Sequence, residues 1–152
     1  WRPLEARQKI LKDVHCGSFA VVAIALLLIG MLAAAHDLPG ERLRALMLIP
    51  VASRCLSAFC VRAIRPIGHS EYAQLNRSAA APIAALVMLV CTGMIAQLWL
   101  GGWALIAIAA TAAGYALSMA HAVKLLNGVS GDLAGYALSV GELCGLAALS
   151  IF

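Results

Sequence analysis

Apolar residues run along this chain in five long blocks, at about residues 16–35, 45–64, 79–100, 103–123 and 133–152. Each block approaches the ~20 residues a helix needs to cross the hydrocarbon core of a bilayer, where every backbone N–H and C=O must be bonded internally. Five transmembrane helices are therefore expected. The first block does not read as a cleaved signal peptide, because it already has full membrane length and no small-residue cleavage site leading into a soluble domain. Ahead of it, Leu4, Ile10, Leu11 and Val14 form an apolar side opposite Arg7, Lys9 and Lys12, a pattern that suits a short helix lying in the membrane interface. The predicted architecture is all-α. Residues 1–15 form a cytoplasmic interfacial segment, and 16–152 a polytopic bundle of about five spans, together a single transmembrane domain.

Composition supports the membrane class, with 63% hydrophobic residues, 12% charged residues and a mean hydropathy of +0.93. An ordinary soluble domain carries about 25% charged residues. The placement of Lys and Arg then sets an orientation. Arg2, Arg7, Lys9 and Lys12 precede the first span, Arg62, Arg65 and Arg77 surround the second loop, and Lys124 follows the fourth span, so that side is expected to be cytoplasmic. The other side has Arg42 and Arg44, offset by Asp37 and Glu41. A net charge of +4 spread over loops in this way excludes a nucleic-acid surface. Cys16, Cys55, Cys60, Cys91 and Cys144 lack any C-x-x-C spacing and read as small core fillers, without a disulfide framework or metal site.

Polar residues within the apolar blocks carry the functional signal. Asp132, Gly135, Ser139 and Glu142 fall on one face of a helix. The two acids are roughly 15 Å apart in height, and carboxylates within a span mark a functional site by default. Arg54 lies eight residues before Arg62, hence roughly 12 Å below the cytoplasmic end, which makes Glu142 its natural partner by depth. That pair reads either as a structural tie between two helices or as an anion-binding cation at the floor of a wet cleft. Pro50 in the same span predicts a kink. The long polar loop over residues 65–78, with His69, Glu71, Tyr72 and Arg77, is either a plain connection or a cover for the site. Spans three and four are packing elements joined by a tight turn at Gly101-Gly102, with Trp99 and Trp103 in the interfacial belt. His121 reads as a flanking residue. Gly131-xxx-Gly135 and Gly141-xxx-Gly145 both fit close helix packing.

Soluble-enzyme signatures are absent: there is no Walker A run, G-x-S-x-G elbow, H-E-x-x-H or G-x-G-x-x-G. The D-x-x-D-G run of CDP-alcohol phosphotransferases is absent too. Lys12-Asp13 followed by Gly17-Ser18-Phe19, Ser53-Arg54 in a span, Gly131-Asp132-x-x-Gly135 and Gly141-Glu142-Leu143 together resemble the cobalamin synthase family, the adenosylcobinamide-GDP ribazoletransferases. The resemblance implies a multi-pass enzyme of the bacterial or archaeal cytoplasmic (inner) membrane with its active side facing the cytoplasm. Such an enzyme uses Mg²⁺ to join adenosylcobinamide-GDP to α-ribazole or its phosphate, and GMP leaves. It also implies that Asp132 and Glu142 are catalytic and that Lys12, Asp13, Arg54 and Arg62 serve phosphate or substrate binding, Asp13 by holding Lys12 or Arg62. The family's acidic metal motif would lie upstream, so no metal ligand is assigned here. The chain, which opens on Trp1, then reads as a C-terminal portion, with an upstream segment completing the site and a homo-oligomer left open. Ser139 and Tyr136 stand where family members carry an acid and an alanine. The reading from another class is a non-enzymatic membrane protein, a transporter fragment or scaffold, in which Arg54 and Glu142 form a buried structural pair.

Overall fold

A computed structural model of the chain describes residues 2–11, 13, 15–67 and 80–152. Lys12, and the loop residues His69, Glu71, Tyr72 and Arg77, lie outside the described residues. The order of elements is α1 (Leu4–Leu11), α2 (Ser18–His36), a 3₁₀ helix (Gly40–Met47), α3 (Leu48–Ala63), α4 (Ala80–Trp99), α5 (Gly102–Leu126) and α6 (Gly131–Ile151). Five helical stretches among the described residues are long and apolar enough to cross a membrane, the second being the 3₁₀ helix continued by α3. The expected all-helical membrane bundle is therefore the fold.

α5 and α6 form its centre because small residues let their backbones touch. A Cβ at Gly141 would stand 2.9 Å from the Thr111 carbonyl oxygen and 3.1 Å from Tyr115 Cβ. At Gly145 it would run into the Thr111 hydroxyl, and at Gly114 it would come within 2.9 Å of Cys144 Cβ. Thr111 is fully buried there, and its hydroxyl donates to the Ala107 carbonyl at 2.8 Å, which removes the penalty of an unpaired polar group in an apolar core. Only the second glycine pair behaves as expected. Gly135 meets nothing within 4 Å, and Gly131 and Gly135 instead line a cleft. By contrast α2 buries no residue, and Phe19, Leu26 and Leu32 point outward, the surface a helix presents to lipid. Cys55 is buried and Cys60 and Cys144 half-buried, whereas Cys16 and Cys91 are exposed and fill no core.

Pro50 sits in the first turn of α3, two residues after the 3₁₀ winding of Gly40–Met47 gives way to α winding. At this end of the bundle Arg42 Nη1 donates to the Leu149 carbonyl at 2.8 Å and its guanidinium stacks 5.9 Å from the centre of the Trp103 ring. Arg42 thus caps the last turn of α6 with Trp103 against its guanidinium, while Trp99 is exposed. The tight turn between α4 and α5 needs Gly101, whose φ is +91°.

At the opposite end the chain after α3 is clamped to the turn between α5 and α6. The Ile67 N–H donates to the Val129 carbonyl at 2.9 Å and the Val129 N–H to the Arg65 carbonyl at 2.8 Å. Asn127, at φ 56°, turns the chain out of α5 in the left-handed conformation that asparagine tolerates. Gly128 then passes so close that a Cβ would lie 2.9 Å from the Arg65 oxygen and 2.8 Å from Ile67 Cγ1. Gly128→Ala is accordingly expected to destabilise the bundle by about 1–3 kcal/mol, read as a lowered melting temperature in detergent. α1 closes this end: Gln8 Nε2 donates to the Leu126 carbonyl at 2.8 Å, and Leu11 packs on Ile67, Ala122 and Leu133.

Candidate functional site

The clamp fixes the start of α6 beside the C-terminal half of α3, and the space between them is a cleft of about 470 Å³. Arg54, Ser57 and Arg62 from α3 face Gly131, Gly135 and Leu138 from α6 across it, with Ala81 of α4 at the side. Arg54, Ser57, Ala58, Val61 and Arg62 recur at three- and four-residue intervals, so they share one face of α3. Glycines on α6 leave the opposite wall without bulk.

Glu142 comes up from the interior of α6 to meet this face. Arg54 Nη1 lies 3.2 Å from Glu142 Oε1, and the Ser53 hydroxyl donates to the same oxygen at 2.7 Å. The expected Arg54–Glu142 pair is thus formed. Its two halves differ in exposure: the Glu142 side chain is 24% exposed and that of Arg54 62%, so the guanidinium reaches into the open space while its carboxylate partner is held in the wall. The pair has a third member, since the Ser53 hydroxyl is also 3.1 Å from the Pro50 carbonyl and Ser53 is wholly buried. A rigid carboxylate of this kind orients a guanidinium that would otherwise sample many rotamers.

Asp132 is placed differently. It lies in the first turn of α6, which Ser130 caps by accepting from the Leu133 N–H at 3.4 Å, and is exposed. No hydrogen bond or ion pair to its carboxylate is found among the described residues, so both oxygens are available, and although its neighbour Gly131 lines the cleft, Asp132 itself stands outside that lining. Asp132 and Glu142 share a stripe, as expected, yet roughly 15 Å of helix separates them. Ser139, between them, donates to the Gly135 carbonyl at 3.1 Å.

Of the remaining expected site residues, Arg62 lines the cleft. Asp13 takes another partner than Arg62: its Oδ1 accepts from the His15 backbone N–H at 3.0 Å and lies 2.8 Å from His15 Nδ1. A contact two residues away closes with far less chain ordering than a reach to another helix. The His15 backbone N–H, with its ring second, holds the Asp13 carboxyl below the usual carboxylate range. Ser53 belongs to the Ser53-Arg54 motif, whereas Ser57 is a further cleft residue, found by its i+3 spacing from Arg54.

Comparison with known proteins bears on what this arrangement serves. Residues 1–150 match the family model described as cobalamin-5-phosphate synthase. The chain belongs to that family. Among curated relatives, the adenosylcobinamide-GDP ribazoletransferase of Clostridium perfringens strain 13 is 30% identical over 99% of this chain and 62% of its own length. The enzyme of that name from Stutzerimonas stutzeri is 32% identical over 94% of this chain and 58% of its own length. The chain therefore spans about 62% of the length of the first of these relatives. No solved structure matches it. Within the cobalamin-5-phosphate synthase family, the expected resemblance in Lys12-Asp13, Ser53-Arg54, Asp132 and Glu142 now has a structural setting for all but Lys12.

Proposed function

We propose that this chain takes part in the adenosylcobinamide-GDP ribazoletransferase reaction, in which the cobinamide phosphate is joined to α-ribazole or its phosphate and GMP leaves. The enzyme works in the cytoplasmic (inner) membrane of a bacterium or archaeon. Its cleft opens toward the cytosol, the side to which the Lys and Arg bias assigns the end carrying α1, Arg62 and Lys124. The observation that carries the reading is the guanidinium of Arg54, held by Glu142 and Ser53 and presented to a cleft that Arg62 also lines. Family membership and the names of the relatives support it.

In this reaction negative charge spreads over the transferring phosphoryl group and the leaving GMP, and a positioned cation stabilises both. Arg54 supplies that cation. Glu142 acts through Arg54 as a positioning residue. Asp132, with both oxygens available, orients the attacking ribazole oxygen and receives its proton. Mg²⁺ dependence is also proposed, but the described residues do not compose a complete site for the ion. No three His, Cys, Asp or Glu side chains gather among them. Asp132 and Glu142, roughly 15 Å apart, cannot share an ion whose ligands lie about 2.1 Å from it. Asp132 is the described carboxylate fit to contribute a single ligand to a site otherwise built from residues beyond those described.

Arg54→Ala is expected to raise KM for adenosylcobinamide-GDP about 10- to 100-fold, the worth of a charged hydrogen bond. GMP release from vesicles carrying the enzyme measures it. A lowered melting temperature with unchanged kinetics would make Arg54–Glu142 a tie between helices and return the chain to a scaffold.

A further inference from the structure

Arg54 borders two cavities. One is the polar cleft described above; the other is a groove of about 590 Å³ between α3 and α4, lined by Pro50, Val51, Cys55, Ala58, Ala84 and Met88. Arg54, Ala58 and Ala81 belong to both, so the groove and the cleft are continuous past the guanidinium. Their chemistry differs. Apart from Arg54, the groove wall consists of aliphatic, thioether and thiol side chains, with no strong hydrogen-bonding group. α3 and α4 pack on one another, and the groove that runs open along their seam has the size of a pocket for a drug-sized ligand. What fits both spaces is apolar and uncharged at one end and anionic or hydroxylated at the other.

The groups brought by the two proposed substrates can be sorted against these walls. Guanine has several donors and acceptors that this lining would leave unpaired, each at about 1–3 kcal/mol. A corrin ring with its amide side chains exceeds drug size and meets the same objection. The dimethylbenzimidazole of α-ribazole is flat, neutral and apolar at its methylated edge. We propose that the α3–α4 groove holds this base, with the attached ribose passing Arg54 into the polar cleft where the phosphoryl group is transferred. The assignment rests on the ribazoletransferase reading and adds to it which substrate enters between α3 and α4. Pro50, Val51, Ala84 and Met88 are then specificity-determining residues for the base.

The test fills the groove. In vesicles carrying the enzyme, Ala84→Leu is expected to raise KM for α-ribazole about ten-fold or more and to leave KM for adenosylcobinamide-GDP unchanged. With the unaltered protein, each methyl removed from the base should weaken binding about four-fold. Equilibrium dialysis of α-ribazole against the purified protein reads the same site without turnover. Binding that Ala84→Leu weakens supports the groove even in a preparation that releases no GMP, an outcome that would count against the transfer reading alone. Met88→Ala, which enlarges the groove instead of filling it, replaces Ala84→Leu if that variant does not fold, and should also weaken binding. If the groove variants leave α-ribazole binding intact, or raise KM for adenosylcobinamide-GDP instead, the assignment is wrong. Displacement of a tightly held phospholipid with α-ribazole binding unchanged would identify the groove as a lipid site and overturn it as well.

Discussion

Asp132→Asn is expected to lower kcat for ribazole transfer by about 10²- to 10⁴-fold, the range associated with losing a positioned acid or base, while the protein remains folded in the membrane. The expectation follows from where the residue stands. Asp132 is exposed in the first turn of α6, beside the cleft that Gly131 and Gly135 line, and Asn preserves its shape and its place near the helix start. Only the charge and the proton-accepting capacity are lost. Glu142→Gln separates the two acids. Gln retains an acceptor for the Ser53 hydroxyl but no longer holds Arg54 by charge, so its defect should appear chiefly as a raised KM, alongside a partly retained kcat. Transfer assays with both substrates varied, and detergent melts in parallel, distinguish the two variants. Unchanged transfer in Asp132→Asn would remove that carboxylate from the mechanism.

Gly141→Leu is expected to prevent recovery of folded protein. A Cβ alone at this position would lie 2.9 Å from the Thr111 backbone carbonyl and 3.1 Å from Tyr115 Cβ, and a backbone oxygen in a helix has nowhere to retreat. A full leucine forces α5 and α6 apart along the contact on which the bundle is built, at a cost at or above the usual 1–3 kcal/mol of overpacking. Gly135→Ala, on the same helix with nothing within 4 Å, should keep the melting temperature of the parent. Size-exclusion profiles and thermal melts in a mild detergent give both outcomes. Equal losses at the two glycines would mean that α6 packs on neighbours through a face other than the one described.

The two glycine pairs also show where sequence patterns stop informing. Gly131-xxx-Gly135 and Gly141-xxx-Gly145 have the same spacing, and each places two small residues on one face of a helix. Which face meets a neighbour depends on the rotation of α6 about its axis, a rotation set by α5 and α3. The same holds for cations. Arg42 and Arg62 both flank spans in the sequence, yet Arg42 reaches across more than a hundred residues to the last turn of α6, and Arg62 lines the cleft. For Asp13 a bridge to Lys12 or Arg62 is expected; Lys12 lies outside the described residues, and the carboxylate is seen with His15, two positions along.

Legible in the residues themselves were the helical spans, the turn at Gly101, the stripe bearing Asp132 and Glu142, and the pairing of Glu142 with Arg54. Each follows from a local rule or a depth count: a bilayer demands about 20 apolar residues per helix, and two opposite charges at one depth in an apolar bundle seek each other. The clamp of Ile67 to Val129, the bond from the Ser53 hydroxyl to Glu142, and the meeting of an apolar groove with a polar cleft at Arg54 were decided by tertiary structure alone. They depend on how helices distant in the chain are turned and spaced against one another, and periodicity along a single helix carries no information about that.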